Sequence, residues 1–228
     1  YNDNGVLISE GIVDAEGNRN GQWKDFSAGG VLVAEGSYNA NRRTGAWKFY
    51  NAAGRLEQAG AYSNGRIDGT WRWYYPDGEL LREEDYYQGK RDGSYTEYSR
   101  TGEIIAQGAY ADGERNGVWK VTTGDNTEEG EYLLGLRNGE WKSWYPEGKL
   151  RFRGEYKQGN PDGHHVLYFE NGRPKEDRYY KNGFRTKSWK KYNELGEVFL
   201  TITYRDDVET SINGVPVSLP ESSVRRIK

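Results

Sequence analysis

The chain has 228 residues, no cysteine and no methionine, and 35 acidic side chains against 32 basic ones. A net charge of -3 supplies no basic field to recruit nucleic acid, the missing thiols exclude disulfides and zinc–thiolate sites, and no apolar run approaches the ~20 residues a membrane helix needs. Only 34% of the chain is hydrophobic, yet 19 Tyr, 8 Trp and 6 Phe argue against disorder, so a core must be built from rings.

In chain order, a Gly-x-aromatic signature recurs at Gly21/Trp23, Gly45/Trp47, Gly69/Trp71, Gly93/Tyr95, Gly117/Trp119 and Gly139/Trp141, with weaker copies at Gly163/His165 and Lys187/Trp189. The spacing is 24 residues throughout except for one step of 22, where the segment 122–129 has lost two residues. A turn glycine lies nine residues after most signature glycines, as at Gly30, Gly54 and Gly78. A tyrosine keeps the same phase from Tyr38 to Tyr204. Residues 1–20 carry half a unit, in which Asn4-Gly5 is expected to turn a hairpin and Glu16-Gly17 to join repeats. The array is expected to span 1–204, with a cap hairpin and basic tail over 205–228. With no Met at position 1, the natural chain is expected to extend further towards its N-terminus.

Between turns, runs of about seven residues alternate with period 2 and are rich in Trp, Tyr, Thr and Val, as strands are. Asn64-Gly65, Asp112-Gly113 and Asn182-Gly183 suit tight hairpin turns. The expected fold is all-β: an elongated, twisted antiparallel meander of tandem hairpins, single-layered or partly rolled, with solenoid-like additivity. Mid-strand glycines at 36, 60, 108, 130 and 154 would weaken strands unless a neighbouring ring lies across the bare backbone. The signature aromatics are those rings, which assigns most Trp to the core.

The stretch 64–93, NGRIDGTWRWYYPDGELLREEDYYQGKRDG, resembles the MORN repeat in its bacterial variant form. That resemblance covers about residues 5–204 and implies a string of β-hairpins without a fixed chemistry. It also implies a bacterial protein, antitoxin-like or part of a larger assembly. His165 and Lys187 depart from the signature.

One residue after each signature aromatic stand Lys24, Lys48, Arg72, Thr96, Lys120, Lys142, Val166 and Lys190. Two further on, on the same face, stand Phe26, Tyr50, Tyr74, Tyr98, Thr122, Trp144, Tyr168 and Tyr192. This ladder has two readings. One is cross-strand pairing on a solvated face, with Glu35, Glu83 and Glu129 meeting Lys24, Arg72 and Lys120. The other is a binding stripe for a long ligand, since Tyr and Arg are favoured at interfaces.

Adjacent His164 and His165 point to opposite faces of a strand and cannot share a metal. No cofactor is implied, and no pair of carboxylates stands out among so many. The function expected is a non-catalytic protein-binding scaffold, with a polysaccharide or anionic-lipid surface binder as the alternative. Peripheral membrane or glycan contact fits either. An exported, envelope location is preferred over the cytoplasm.

Overall fold

A computed structural model describes residues 1–217; the expected basic tail lies outside the described residues. Contacts divide the chain into two compact units, 1–117 and 118–228. The first unit holds β1 (Ser9–Val13), β2 (Arg19–Phe26), β3 (Leu32–Asn39), β4 (Arg42–Tyr50), β5 (Leu56–Ser63), β6 (Arg66–Tyr74), β7 (Leu80–Tyr87), β8 (Lys90–Tyr98) and β9 (Ile104–Ala111). The division falls inside β10 (Glu114–Thr123). The second unit continues with β11 (Asn126–Leu133), β12 (Leu136–Trp144), β13 (Leu150–Lys157), β14 (Asn160–Tyr168) and β15 (Pro174–Lys181). It closes with β16 (Phe184–Arg185), β17 (Lys187–Tyr192), β18 (Val198–Arg205), β19 (Val208–Ile212) and β20 (Val215–Pro216). The described residues contain no helix, and within each unit strands pair antiparallel with their neighbours in sequence.

Two turn types alternate, each for a local reason. Hairpins close with two residues of positive φ, such as Asn64 (50°) with Gly65 (81°) and Asp112 (51°) with Gly113 (94°). Both central residues of such a turn sit in the left-handed region, which Asn, Asp and Gly tolerate. Repeats are joined by four-residue turns, in which Gly54 N–H donates to the Asn51 carbonyl and Asn51 N–H to that of Arg55. Asn2–Gly5 has this second bonding pattern, so Asn4-Gly5 is not the hairpin turn expected from sequence. Asp14–Gly17 has the same pattern and connects β1 to β2, the place the expected hairpin turn would hold. The dipeptide alone did not distinguish the two, because both types end on a positive-φ glycine. In the shortened repeat, Gly124-Asp125 alone separate β10 from β11, so the two missing residues turned a four-residue joint into a tight one.

The signature glycine is a bulge. Gly36 pairs with Trp47 but Ser37 pairs with Thr44, so Gly45 and Ala46 have no partner on β3. The same shift recurs at Gly130/Glu131 and at Gly11/Ile12. A bulge residue of this kind takes positive φ, which glycine reaches without cost. Lys187 occupies the position at φ 58°, and there the strand breaks into β16 and β17 at Thr186. Lys187→Gly is expected to raise stability by ~1 kcal/mol, read as a shift of the urea midpoint with unchanged slope.

The tryptophans sit beside the bulge. Each indole N–H is a further donor to the carbonyl of the residue after the mid-strand position. Trp47 Nε1–H donates to Ser37 O at 3.0 Å, Trp71 to Ala61 O at 3.0 Å, Trp141 to Glu131 O at 3.1 Å and Trp189 to Tyr179 O at 3.0 Å. The ring then lies flat on the neighbouring glycine. A Cβ built on Gly36, Gly60 or Gly130 would stand 2.3 Å from the ring of Trp47, Trp71 or Trp141. From above, arginines stack on the rings: Arg19 over Trp23 and Arg43 over Trp47 at 4.5 Å, Arg137 over Trp141 at 4.1 Å. Edge-on tyrosines such as Tyr38, 5.1 Å from Trp47, fill the sides. Backbone beneath, guanidinium above and rings at the flanks leave Trp47 1% and Trp141 3% exposed.

Candidate binding face

The expected ladder lies on the face opposite the tryptophans, and the register shows what holds it. Across the first unit, Lys24, Glu35, Lys48, Ala59, Arg72, Glu83, Thr96 and Gln107 stand opposite one another on β2 through β9. In the second unit the row runs Glu129, Lys142, Arg153, Val166, Asp177, Lys190 and Thr201. Lys24, Lys48, Arg72, Lys120 and Lys190 are exposed, and Lys142 is half-buried.

Two of the expected charge pairings take a different form. Glu35 stands between Lys24 and Lys48, and its ion pair is with Lys48, at 3.9 Å. Glu129 stands opposite Lys142, whose ammonium instead meets Glu140 on its own strand at 2.5 Å. Arg72 does pair with Glu83, at 2.6 Å. Glu35 has a basic neighbour on either side, so the sequence could not say which one it would hold.

The aromatic members are half-buried, and three of them spend their hydroxyls on the acids of the row. Tyr50 donates to Glu35 at 2.6 Å, Tyr192 to Asp177 at 2.6 Å and Tyr98 to Glu83 at 3.5 Å. Burial, reinforced by the carboxylate, pushes the Tyr50 and Tyr192 hydroxyls up to about 12. Phenols held this way act as neutral donors that orient the carboxylates. Tyr74, Trp144 and Tyr168 are also half-buried at strand ends. The arrangement is a repeated motif: a basic side chain at the surface, an acid beside it, and a ring that fixes the acid. Such a face presents charge in a fixed pattern at one step per repeat, or ~9.6 Å.

His164 and His165 part as expected. His164 joins this face, its Nε2 2.9 Å from Asp177 Oδ1 and its ring stacked on Tyr179. His165 stands in a tryptophan position above Gly154, its Nε2 2.7 Å from the Glu155 carbonyl. It therefore imitates the indole N–H, and burial holds it neutral by lowering its pKa below the usual value. Among the described residues, no group of three or more His, Asp or Glu side chains is placed to hold a metal ion.

A cluster on the tryptophan face had no counterpart in the sequence reading. Glu84 occupies a mid-strand glycine position and is 1% exposed, paired in register with Trp71 on one side and Tyr95 on the other. Tyr86 O–H and Arg91 Nε–H donate to its Oε2, the arginine at 3.1 Å. Arg82 Nε approaches Oε1 to 2.9 Å but is poorly aligned, so neither of those two atoms completes a hydrogen bond. The available signal was a coincidence: this one repeat replaces glycine by Glu84 and tryptophan by Tyr95 together.

A family model described as the MORN repeat variant matches residues 67–88, 137–158 and 161–182. Those windows run from the strand that follows one hairpin turn to the next hairpin turn, which is the structural unit seen here. No curated protein matches the chain.

Proposed function

We propose that this array, three of whose segments match the MORN repeat variant, is a non-catalytic scaffold that binds a protein partner on the ladder face. The observation that carries this reading is the fixed row of exposed Lys48, Arg72 and their neighbours, held by Tyr50→Glu35 and Tyr98→Glu83 bonds. A partner meeting such a row gains from side chains already oriented, because less rotamer freedom is lost on binding. A bacterial antitoxin-like protein, or a subunit of an envelope assembly, would use a face of this kind. Polysaccharide binding is less well supported, since Tyr50 and Tyr192 are half-buried and their hydroxyls are engaged.

The test is affinity capture from lysate and envelope fractions with the parent and with a variant carrying Lys24, Lys48, Arg72, Lys120, Lys142 and Lys190 all changed to Glu. The expected result is one stoichiometric protein, held by the parent and lost by the variant. The same protein on both would move the site off the ladder. Capture of glycan or anionic lipid in place of protein would replace the reading with its alternative.

A further inference from the structure

The hairpin tips of the first unit carry a feature that neither the ladder nor the core uses. After three successive hairpin turns the residue opening the next strand is Arg42 on β4, Arg66 on β6 and Lys90 on β8, and after the fourth it is Glu114 on β10. The same position in the second unit is Leu136, Asn160, Phe184 and Val208, so the basic run is local. The tips are tied in sequence: Gly65 N–H donates to the Arg43 carbonyl at 2.9 Å and Gly89 N–H to the Ile67 carbonyl at 2.8 Å. These ties lay each arginine stem on the next turn. Arg42 Cβ stands 3.7 Å from where a side chain on Gly65 would begin, and Arg66 Cβ 3.8 Å from the same point on Gly89.

Between the two stems lies a cleft of about 280 Å3, lined by Arg42, Ser63, Asn64, Arg66 and Gln88. Every lining side chain can donate a hydrogen bond, and none is a carboxylate. Lys90 is held by Asp112 at 3.1 Å, whereas no ion pair among the described residues engages Arg42 or Arg66. Asp68 on β6 already accepts the Gln88 backbone N–H at 3.1 Å. Two exposed guanidiniums therefore share a polar cleft without a counter-ion.

We propose that this cleft takes an acidic segment of a protein partner, with one carboxylate on each arginine and the peptide backbone between Asn64 and Gln88. The inference rests on the scaffold reading and adds the chemistry of what is held. Guanidinium forks match carboxylates two N–H groups at a time. The amide side chains decide between acids: each offers a donor and an acceptor, as a peptide N–H and C=O require, whereas a bare phosphate uses donors alone. Geometry agrees, because carboxylates at i and i+2 of an extended segment start ~7 Å apart and arginines one repeat apart start ~9.6 Å apart. The flexible side chains close that difference.

The probe is a fluorescein-labelled octapeptide of alternating Glu and Ser, followed by anisotropy on the full chain in low and moderate salt. Saturable binding is expected, weakened at least ~10-fold by Arg42→Ala with Arg66→Ala, and equally by a peptide with Gln for Glu. Lys149→Ala with Lys157→Ala removes the same charge from exposed positions outside the cleft and the ladder and is expected to leave affinity within ~2-fold. Equal loss in that control would mean general attraction and would overturn the proposal. So would absence of peptide binding, or arginine-dependent binding of inorganic phosphate or phosphatidylserine vesicles in place of peptide. None of these outcomes bears on capture by the ladder, so failure of the cleft leaves the scaffold reading standing.

Discussion

Gly36→Ala is expected to cost ~3–5 kcal/mol, as much as removing the tryptophan beside it. A methyl group at residue 36 would lie 2.3 Å from Trp47 Cδ2 and 2.5 Å from Cγ, inside the ring's own volume. The ring has nowhere to go. Phe49 is stacked 5.8 Å away, Tyr38 and Tyr62 flank it at 5.1 and 6.0 Å, and Arg43 covers it at 4.5 Å. Relief requires expelling Trp47, which forfeits its burial and the bond from its N–H to the Ser37 carbonyl. The clash predicts strong coupling: in a Trp47→Ala background the same Gly36→Ala change should cost under ~1 kcal/mol, because no ring remains to displace. Urea unfolding followed by circular dichroism, with amide exchange on β3 and β4, reads both numbers. Equal costs in the two backgrounds would show that Gly36 acts through its backbone and that the ring-on-glycine account is wrong.

The hairpins, the alternating turns and the rings over glycine were legible because each is a short-range pattern repeated in phase. A period of 24 residues averages away local noise, and a glycine inside a strand demands a reason. What depended on register was less legible. The bulge beside each indole leaves two residues of the facing strand unpaired, and nothing in a single strand's sequence marks that. The arginine layer was present in phase at Arg19, Arg43, Arg91, Arg137 and Arg185, two residues before the signature position. Arginine ordinarily reads as solvated, and only the flat rings beneath turn it into a cover. Within the ladder, the alternation of acid and base was visible, but the choice of Lys48 by Glu35, and of Glu140 by Lys142, depends on side-chain reach. The cleft at Arg42 and Arg66 needed the tips to be stacked on one another before two residues 24 apart could be seen to share it.

The fourth repeat supplies the sharpest test of how the core is built, because it solves the same problem with different chemistry. In repeats such as that of Gly36 and Trp47, glycine lies under a tryptophan; here Glu84 faces Tyr95, whose O–H turns to Glu97 at 2.6 Å. A smaller ring leaves room for a carboxylate, and the carboxylate holds Arg82 and Arg91 in place of an indole. Glu84→Ala removes the acid that pairs with both arginines and is expected to cost ~3–5 kcal/mol, the usual penalty for stranding one side of a buried pair. Tyr95→Trp alone should also destabilise, since the larger ring meets the Glu84 side chain. Glu84→Gly combined with Tyr95→Trp is expected to recover at least the parent stability. The indole can then lie on bare backbone and donate to the Asp85 carbonyl, while Arg91 stacks above it as Arg43 does above Trp47. Replacing a buried ion cluster by packed apolar surface is often neutral or better. The double-mutant cycle should therefore show a favourable coupling of ~3 kcal/mol between positions 84 and 95. Additive losses would mean that Glu84 and Tyr95 arose independently of each other and that the cluster serves something other than the core.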